Sequence, residues 1–421
     1  MMTLLLVWLL FSPHDTLSLG RAQDAAWENF PLARQIDLHH EIADLRRKGM
    51  NVQFRPSFSA GGQAVYHSAV PELPFAAPGF DVPSVRHDQY RVSFDVSQLI
   101  YDGGAVAGRR RLEDASAALA KEQVGADFHR IREQVNQVYF AALLQDAALS
   151  SLHFLREDVE ARIRALEARV QEGAAAGGTT DVLEVDLLRI DQQIEDARDQ
   201  RRSAIAVLNT LTGLDLEEDL VLILPAVDIP LLEDAPSRPE YAVFRATRER
   251  LDVQKRLLDA EHRPVVSSSA SLAYGRPPGL NIFENDLSPF YTMGLQVKWP
   301  LFRSVRRDRR IIDLQKEIVD TQEEAFTQNV AAMAEREKHD VSRLETMLRQ
   351  DLEIIDLRDR IAKRARGQLE LGVISATDYL LEEYAHHQAL LTYQRRRIEL
   401  EFAKVRYLTT LGLTDEISKR N

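Results

Sequence analysis

The stretch YTMGLQVKWPLF, residues 291–302, decides the fold. Met293, Leu295, Val297, Trp299 and Leu301 alternate with Gly294, Gln296 and Lys298. A period of two puts the apolar set on one face of a strand and the polar set on the other, as when one face meets lipid or core and the other meets water. Beyond Phe302 the apolar spacing changes to three and four, so this strand runs straight into a long helix. Working back, YRVSFDVSQLIY at residues 90–101 has the same design, with Val92, Phe94, Val96 and Ile100 set against Ser93, Asp95 and Ser97. A strand that feeds a helix therefore occurs twice.

The rest of the chain falls into two matching halves around these junctions. Pro31 opens a helical stretch through Arg47, followed by Arg55-Pro56 and a strand-like 57–66; Pro239 opens another through Glu261, followed by Arg263-Pro264 and a strand-like 265–274. The matching prolines are separated by 239 − 31 = 208 and by 264 − 56 = 208 residues. Two equal offsets point to an internal duplication. Each first strand leads into a loop rich in turn formers, with Pro71, Pro74, Pro78 and Pro83 in one and Pro277, Pro278 and Pro289 in the other. Proline cannot donate to a strand ladder, so these are excursions between paired strands, and each half carries one hairpin.

Composition narrows the function classes. The 421 residues carry a formal charge of −12, which argues against nucleic-acid binding, since phosphate recognition needs a clustered basic surplus. The chain has no cysteine, so disulfide scaffolds, thiolate zinc sites, thiol catalysis and a lipid-modified N-terminal cysteine are excluded. The N-terminal run MMTLLLVWLLF has the length of a signal-peptide core, and residues 1–22 are expected to be a secretory signal. Beyond it no stretch of about 18 apolar residues is apparent, so any membrane passage is expected to use β-strands.

The long helices are expected over residues 104–171 and 303–371. In the first, Phe128, Ile131, Val135, Val138, Ala142, Leu149, Leu152, Val159 and Ile163 recur mostly at spacings of three and four, as in a coiled coil. Each rod would be roughly 100 Å long at 1.5 Å per residue. Each then turns at a glycine-containing tip, GAAAGGTT (173–180) or GVISAT (372–377), and returns as a shorter helix over 181–211 or 378–411. The expected organisation is a first repeat over 23–214 with its β-hairpin at 52–101, a polar connector at 215–238, and a second repeat over 239–421 with its β-hairpin at 265–302. A returning helix stacked on a leading helix nearly matches one long helix, so the connector would form a belt at mid-height.

Four strands cannot close a membrane barrel, whose smallest examples have about eight, and an open sheet leaves edge backbone that a bilayer cannot satisfy. Membrane insertion therefore requires several copies, and three give twelve strands with simple cyclic closure. Tyr66, Tyr90, Tyr101, Tyr274, Tyr291 and Trp299 lie near the strand ends, where an interfacial aromatic girdle would sit.

On these features the chain resembles the TolC family of outer-membrane efflux and secretion ducts. The most specific pieces are VSQLIYDGG (96–104), LQVKWPLF (295–302), Gly372 followed six residues later by Asp378 at the start of an amphipathic helix, and the helix-ending LTGL (211–214) and LGL (411–413). The resemblance implies a mainly α protein with membrane β-structure. It would be a homotrimer whose twelve-stranded barrel, four strands per chain, continues into a long antiparallel α-helical coiled-coil barrel. It further implies location in the bacterial outer membrane with a long periplasmic extension, and work with a periplasmic adaptor and an inner-membrane transporter as a passive exit duct opened at its periplasmic tip. The short segment after Leu413 implies a reduced belt.

Candidate functional residues follow. Asp181 and Asp378 stand at the starts of the returning helices, where carboxylates cap exposed amides and favour the helix dipole. In a trimer they would also repeat as acidic rings that narrow the tip and favour cations. The resemblance places an acidic constriction there, with Asp378 the better match, and implies that the tip hairpins, turning at Gly173, Gly177 and Gly372, meet the adaptor. By alternation Asp95, Ser97, Gln296 and Lys298 would line the water-filled lumen. No convergent catalytic set, cofactor motif or phosphate loop is visible. His39-His40 and His386-His387 are neighbours that diverge by about 100° on a helix, so metal ligation within a chain is not expected. The alternative reading is a soluble periplasmic coiled-coil scaffold in which the hairpins form an ordinary small sheet; solubility of the signal-less chain without detergent would favour it.

Overall fold

A computed structural model describes residues 16–71, 85–171, 178–229, 236–282, 284–301, 305–371 and 373–413. In chain order the elements are β1 (Thr16–Leu17), α1 (Leu19–Asn29), α2 (Arg34–Asn51), β2 (Ser57–Tyr66), β3 (Asp88–Tyr101), α3 (Ala105–Gln171) and α4 (Gly178–Thr212). They continue with β4 (Val221–Leu222), α5 (Pro239–Glu261), β5 (Val265–Arg276), β6 (Ser288–Lys298), α6 (Val305–Glu370) and α7 (Ala376–Leu411). The order α2-β2-β3-α3-α4 recurs as α5-β5-β6-α6-α7. By contacts the chain divides into two units, one of Met1–Arg34, Gln123–Ala242 and Glu323–Asn421, the other of Gln35–Glu122 and Val243–Gln322.

The second unit holds the four-stranded antiparallel sheet, ordered β2-β3-β5-β6, with the helical segments next to it. The junction from β3 into α3 shows why the sequence there is Tyr-Asp-Gly-Gly. Asp102 Oδ1 accepts from the N–H of Gly104 at 2.8 Å and its Oδ2 accepts from Val106, so one carboxylate caps the free amides of the helix start. Gly103 has φ +72°, and a Cβ there would lie 2.7 Å from the carbonyl oxygen of Ala260. Between α5 and the start of α6, Leu251, Ile312 and Val319 form a buried cluster, flanked by ion pairs Lys255–Asp313 at 2.6 Å and Lys316–Asp252 at 2.8 Å.

The first unit is built from α1, α4, α7 and the remaining parts of α3 and α6. Antiparallel packing of α3 on α4 buries Val159 against Ile190 and Ile194. The two-residue strands β1 and β4 pair in parallel, and the buried Tyr139 hydroxyl lies 2.7 Å from the Leu17 carbonyl and 2.6 Å from that of Ile223. Helix ends are closed alike in the two halves. Gly213 (φ +68°) ends α4 beside Asn29, whose amide donates to the carbonyls of Thr210 and Leu211 at 3.2 Å each. Gly412 (φ +78°) ends α7, with Leu413 N–H donating to Leu408 O at 2.9 Å and Ser237 N–H to Leu411 O at 2.8 Å. The helix-ending LTGL and LGL thus work as left-handed glycine caps.

Three details differ from the sequence expectations. Residues 16–29 form β1 and α1, with Leu17, Leu19, Ala22 and Ala26 buried, so the expected signal boundary at residue 22 falls inside a packed helix. Pro31 starts a single tight turn and α2 begins at Arg34, with α1 preceding both. The third concerns α3, which contains an 18-residue window of mean hydropathy 1.3, long and apolar enough by composition to cross a membrane. Only 22 % of that window is buried, while Val135, Tyr139, Phe140 and Ala142 of the same helix are fully buried within the first unit.

Candidate pore-lining and tip sites

Strand register places the sheet residues. One row across the sheet runs Ser59, Asp95, Ser271, Thr292, and the next polar row runs Ser57, Ser97, Ser269, Gly294. The rows that alternate with them run Ala60, Phe94, Leu272, Tyr291 and Phe58, Val96, Ala270, Met293. Gln296 pairs with Ser267 and Lys298 with Val265, which have the parity of Ser269 and Ser271. Asp95, Ser97, Gln296 and Lys298 therefore share one face of the sheet. The opposite face is apolar and open: Met293 is 75 % exposed, Leu295 68 % and Phe58 65 %.

The polar face is internally bonded. Ser93 Oγ donates to Asp95 Oδ2 at 2.8 Å, Ser57 and Ser97 hydroxyls meet at 2.6 Å, and Arg91 Nη2 donates to Ser271 Oγ at 3.0 Å. The Arg91 guanidinium also lies 5.5 Å from the centre of the Phe290 ring. Arg91 was not singled out from the sequence, although its odd-number parity with Ser93 and Asp95 was there to find it.

At the tip end, Ser375 is the N-cap of α7 and Asp378 closes a capping box with it. Asp378 N–H donates to Ser375 Oγ at 3.2 Å, Ser375 N–H donates to Asp378 Oδ2 at 3.1 Å, and the Ser375 hydroxyl donates to the same oxygen at 2.7 Å. The hydroxyl and then the backbone amide of Ser375 hold the exposed Asp378 carboxyl below the usual carboxylate range. Helix α7 thus begins at Ala376, two residues before Asp378, with Ser375 as its cap. Asp181 is exposed in the first turn of α4, which begins at Gly178. Gly173, Gly177 and Gly372 lie outside the described residues. The acids one turn further on are engaged: Glu382 with Arg358 at 3.3 Å and Glu383 with His387 at 3.6 Å.

A buried polar network in the first unit escaped the sequence reading. Gln23 Nε2 donates to Asn136 Oδ1 at 2.6 Å and Asn136 Nδ2 donates to Thr409 Oγ1 at 3.1 Å, joining α1, α3 and α7. Arg238 is buried, 3.3 Å from Glu133 and 2.8 Å from Glu240. A search for apolar periodicity passes over such residues, because they occupy interior positions with polar side chains. Among the described residues no group of three or more His, Asp or Glu is arranged to hold a metal ion.

Residues 43–214 match the model of the outer membrane efflux protein family. Among solved structures, CusC superposes with a TM-score of 0.68 at 14 % identity, covering 93 % of this chain and 91 % of that one. The Campylobacter jejuni CmeC outer membrane channel gives 0.64 at 16 % identity over 96 % and 89 % of the two chains. VceC, the outer membrane protein of Vibrio cholerae, gives 0.65 at 13 % over 95 % and 96 %. Residues 43–214 thus carry the sequence signature of outer membrane efflux proteins, and the chain has the fold of these outer-membrane channels. Among curated proteins none matches it. The efflux-protein match covers the first repeat alone, while the fold agreement with these solved channels extends over nearly the whole chain, so the second repeat keeps the architecture.

Proposed function

We propose that the chain is one subunit of a trimeric exit duct in the bacterial outer membrane, a passive conduit for efflux or type I secretion with a helical extension into the periplasm. The observation that carries this reading is the sheet: four strands sorted into one apolar and one polar face, with β2 and β6 at its two edges. Each large apolar side chain left in water forgoes about 1.5–3 kcal/mol of burial, so a soluble scaffold would not keep this face open, whereas lipid would cover it. Because β2 and β6 run in opposite directions, β6 of one copy continues into β2 of the next as another antiparallel pair, and three copies give the twelve-stranded barrel.

In that assembly Asp95, Ser97, Gln296 and Lys298 line the lumen beneath an aromatic girdle. Asp378 and Asp181 repeat at the tip, where Gly173, Gly177 and Gly372 turn the hairpins that meet a periplasmic adaptor. An inner-membrane transporter supplies the cargo. The proposed repeats are 23–214 and 239–421, joined by the connector 215–238, after a leader over 1–22. Opening follows from tighter binding of the adaptor to the untwisted tip. The test is purified full-length protein in detergent and in planar bilayers. A mass of three chains with discrete ion-conducting steps is expected; a monomer that leaves the bilayer insulating rejects the proposal.

A further inference from the structure

The helix-side ends of the four strands in the second unit lie together, with Ser57 paired to Ser97, Tyr101 to Val266 and Val265 to Lys298. Strands of 10–14 residues are long enough for a bilayer core, which takes about 9–11 residues when they tilt. With the sheet in a membrane as proposed above, one layer of lipid headgroups falls at this end. Tyr101 and Trp299 stand there exposed, and aromatic side chains of this kind favour the headgroup level.

The same end carries surplus positive charge in a chain whose net charge is −12. Lys48 lies in the last turn of α2, Arg55 precedes β2, Arg111 lies in the second turn of α3, and Arg306 and Arg307 open α6. All five are exposed, and none has an ion pair or a side-chain hydrogen bond among the described residues. Nearby acids are already taken: Glu113 by Arg46, Asp114 by Arg47, Glu261 by Arg109 and Asp259 by Arg309, at 2.5–3.2 Å. Asp308 offsets one of the five charges. A helix dipole disfavours cations in the first turn, so α6 itself gives Arg306 and Arg307 no support. At the opposite, loop end the described residues show no such surplus, because Asp88, Glu284 and Asp286 match Arg86, Arg91 and Arg276 in number.

We propose that this band binds the phosphate groups of anionic phospholipids in the leaflet next to the helices. The inference rests on the duct reading, because it takes the apolar face of the sheet to lie in lipid. Arg and Lys side chains reach a headgroup while their stems stay on apolar surface, and a guanidinium holds a phosphate through two parallel N–H donors. The adjoining surface selects a lipid over free phosphate: Val297, Trp299 and Leu301 are exposed just before Arg306, where acyl chains can cover them. Both halves of the duplication contribute cations, so copies side by side join their bands into a collar.

The test follows the unfolding temperature of the full-length protein in a neutral detergent as dihexanoyl phosphatidylglycerol is added, with dihexanoyl phosphatidylcholine and inorganic phosphate as controls. A saturable rise is expected with phosphatidylglycerol alone, and about 0.5 M NaCl should remove it by screening. Combining Arg55→Gln, Arg111→Gln, Arg306→Gln and Arg307→Gln should abolish the rise. An equal rise with phosphatidylcholine or with inorganic phosphate, no rise at all, or a combined variant that responds like wild type overturns the proposal. A rise that persists in salt overturns it as well, and that arm needs no variant. The mass of the protein in the same detergent reads the duct proposal separately, so a trimer without the lipid response removes this inference alone.

Discussion

The Tyr139 hydroxyl ties the two short strands of the first unit to a long helix, because it reaches the carbonyls of both Leu17 and Ile223 from a fully buried ring. Burial raises its pKa far above the usual phenol value, so it remains a neutral donor at any working pH. Tyr139→Phe should therefore destabilise the protein by about 1 kcal/mol, read from denaturant unfolding, with no effect on conductance. Asp378 asks a different question. Its carboxylate is committed to Ser375, which makes it a helix cap, yet it stays exposed and charged at the proposed tip. Asp378→Ala is expected to lower cation preference and raise conductance in planar bilayers; unchanged conductance and selectivity would leave it the capping role alone. Sequence placed Asp378 near a helix start because an acid before an amphipathic run is a capping signal. It missed Ser375 because a short polar residue inside a tip of small residues carries no periodic mark. Tyr139 and Asn136 were missed for a related reason: in a helix more than sixty residues long, a spacing rule identifies the buried stripe and is silent on which members of it bond to backbone.

Strands were the most legible elements, since a period of two fixes both the face and the register: Asp95, Ser97, Gln296 and Lys298 fall on one side as alternation requires. The two faces should respond oppositely to the same substitution. Leu295→Arg puts a charge on the apolar face and is expected to cost about 2–4 kcal/mol near the bilayer midplane and to abolish membrane assembly. Gln296→Arg, one residue away, should assemble normally and shift ion selectivity toward anions; assembly assays by mass in detergent separate the two. The helix β1-α1 region was illegible because its Leu17 and Leu19 continue the apolar character of the N-terminal run, so leader and fold merge in composition. Glycine was informative where the backbone demanded it. Gly412 and Gly213 were recognised as helix ends, and both have positive φ, where a side chain would be strained. The internal duplication, inferred from proline offsets, recurs as the repeated order of helix, two strands and two long helices.

For the molecule as a whole, the sheet is incomplete in one chain. The proposal covers its two edges with further copies and its bare apolar face with lipid, which makes the pore a property of the assembly. Absence of cysteine from all 421 residues makes this directly testable. One cysteine is placed at Ser59 on edge strand β2 and a second, in turn, at Thr292, Gly294 or Gln296 on edge strand β6, and membranes are oxidised before denaturing electrophoresis. Disulfides form only when Cα atoms come within about 4.4–6.8 Å, so they report edge-to-edge pairing between copies. The account predicts covalent dimers and trimers, and nothing larger, for at least one of these pairs; monomer at every pair would contradict it.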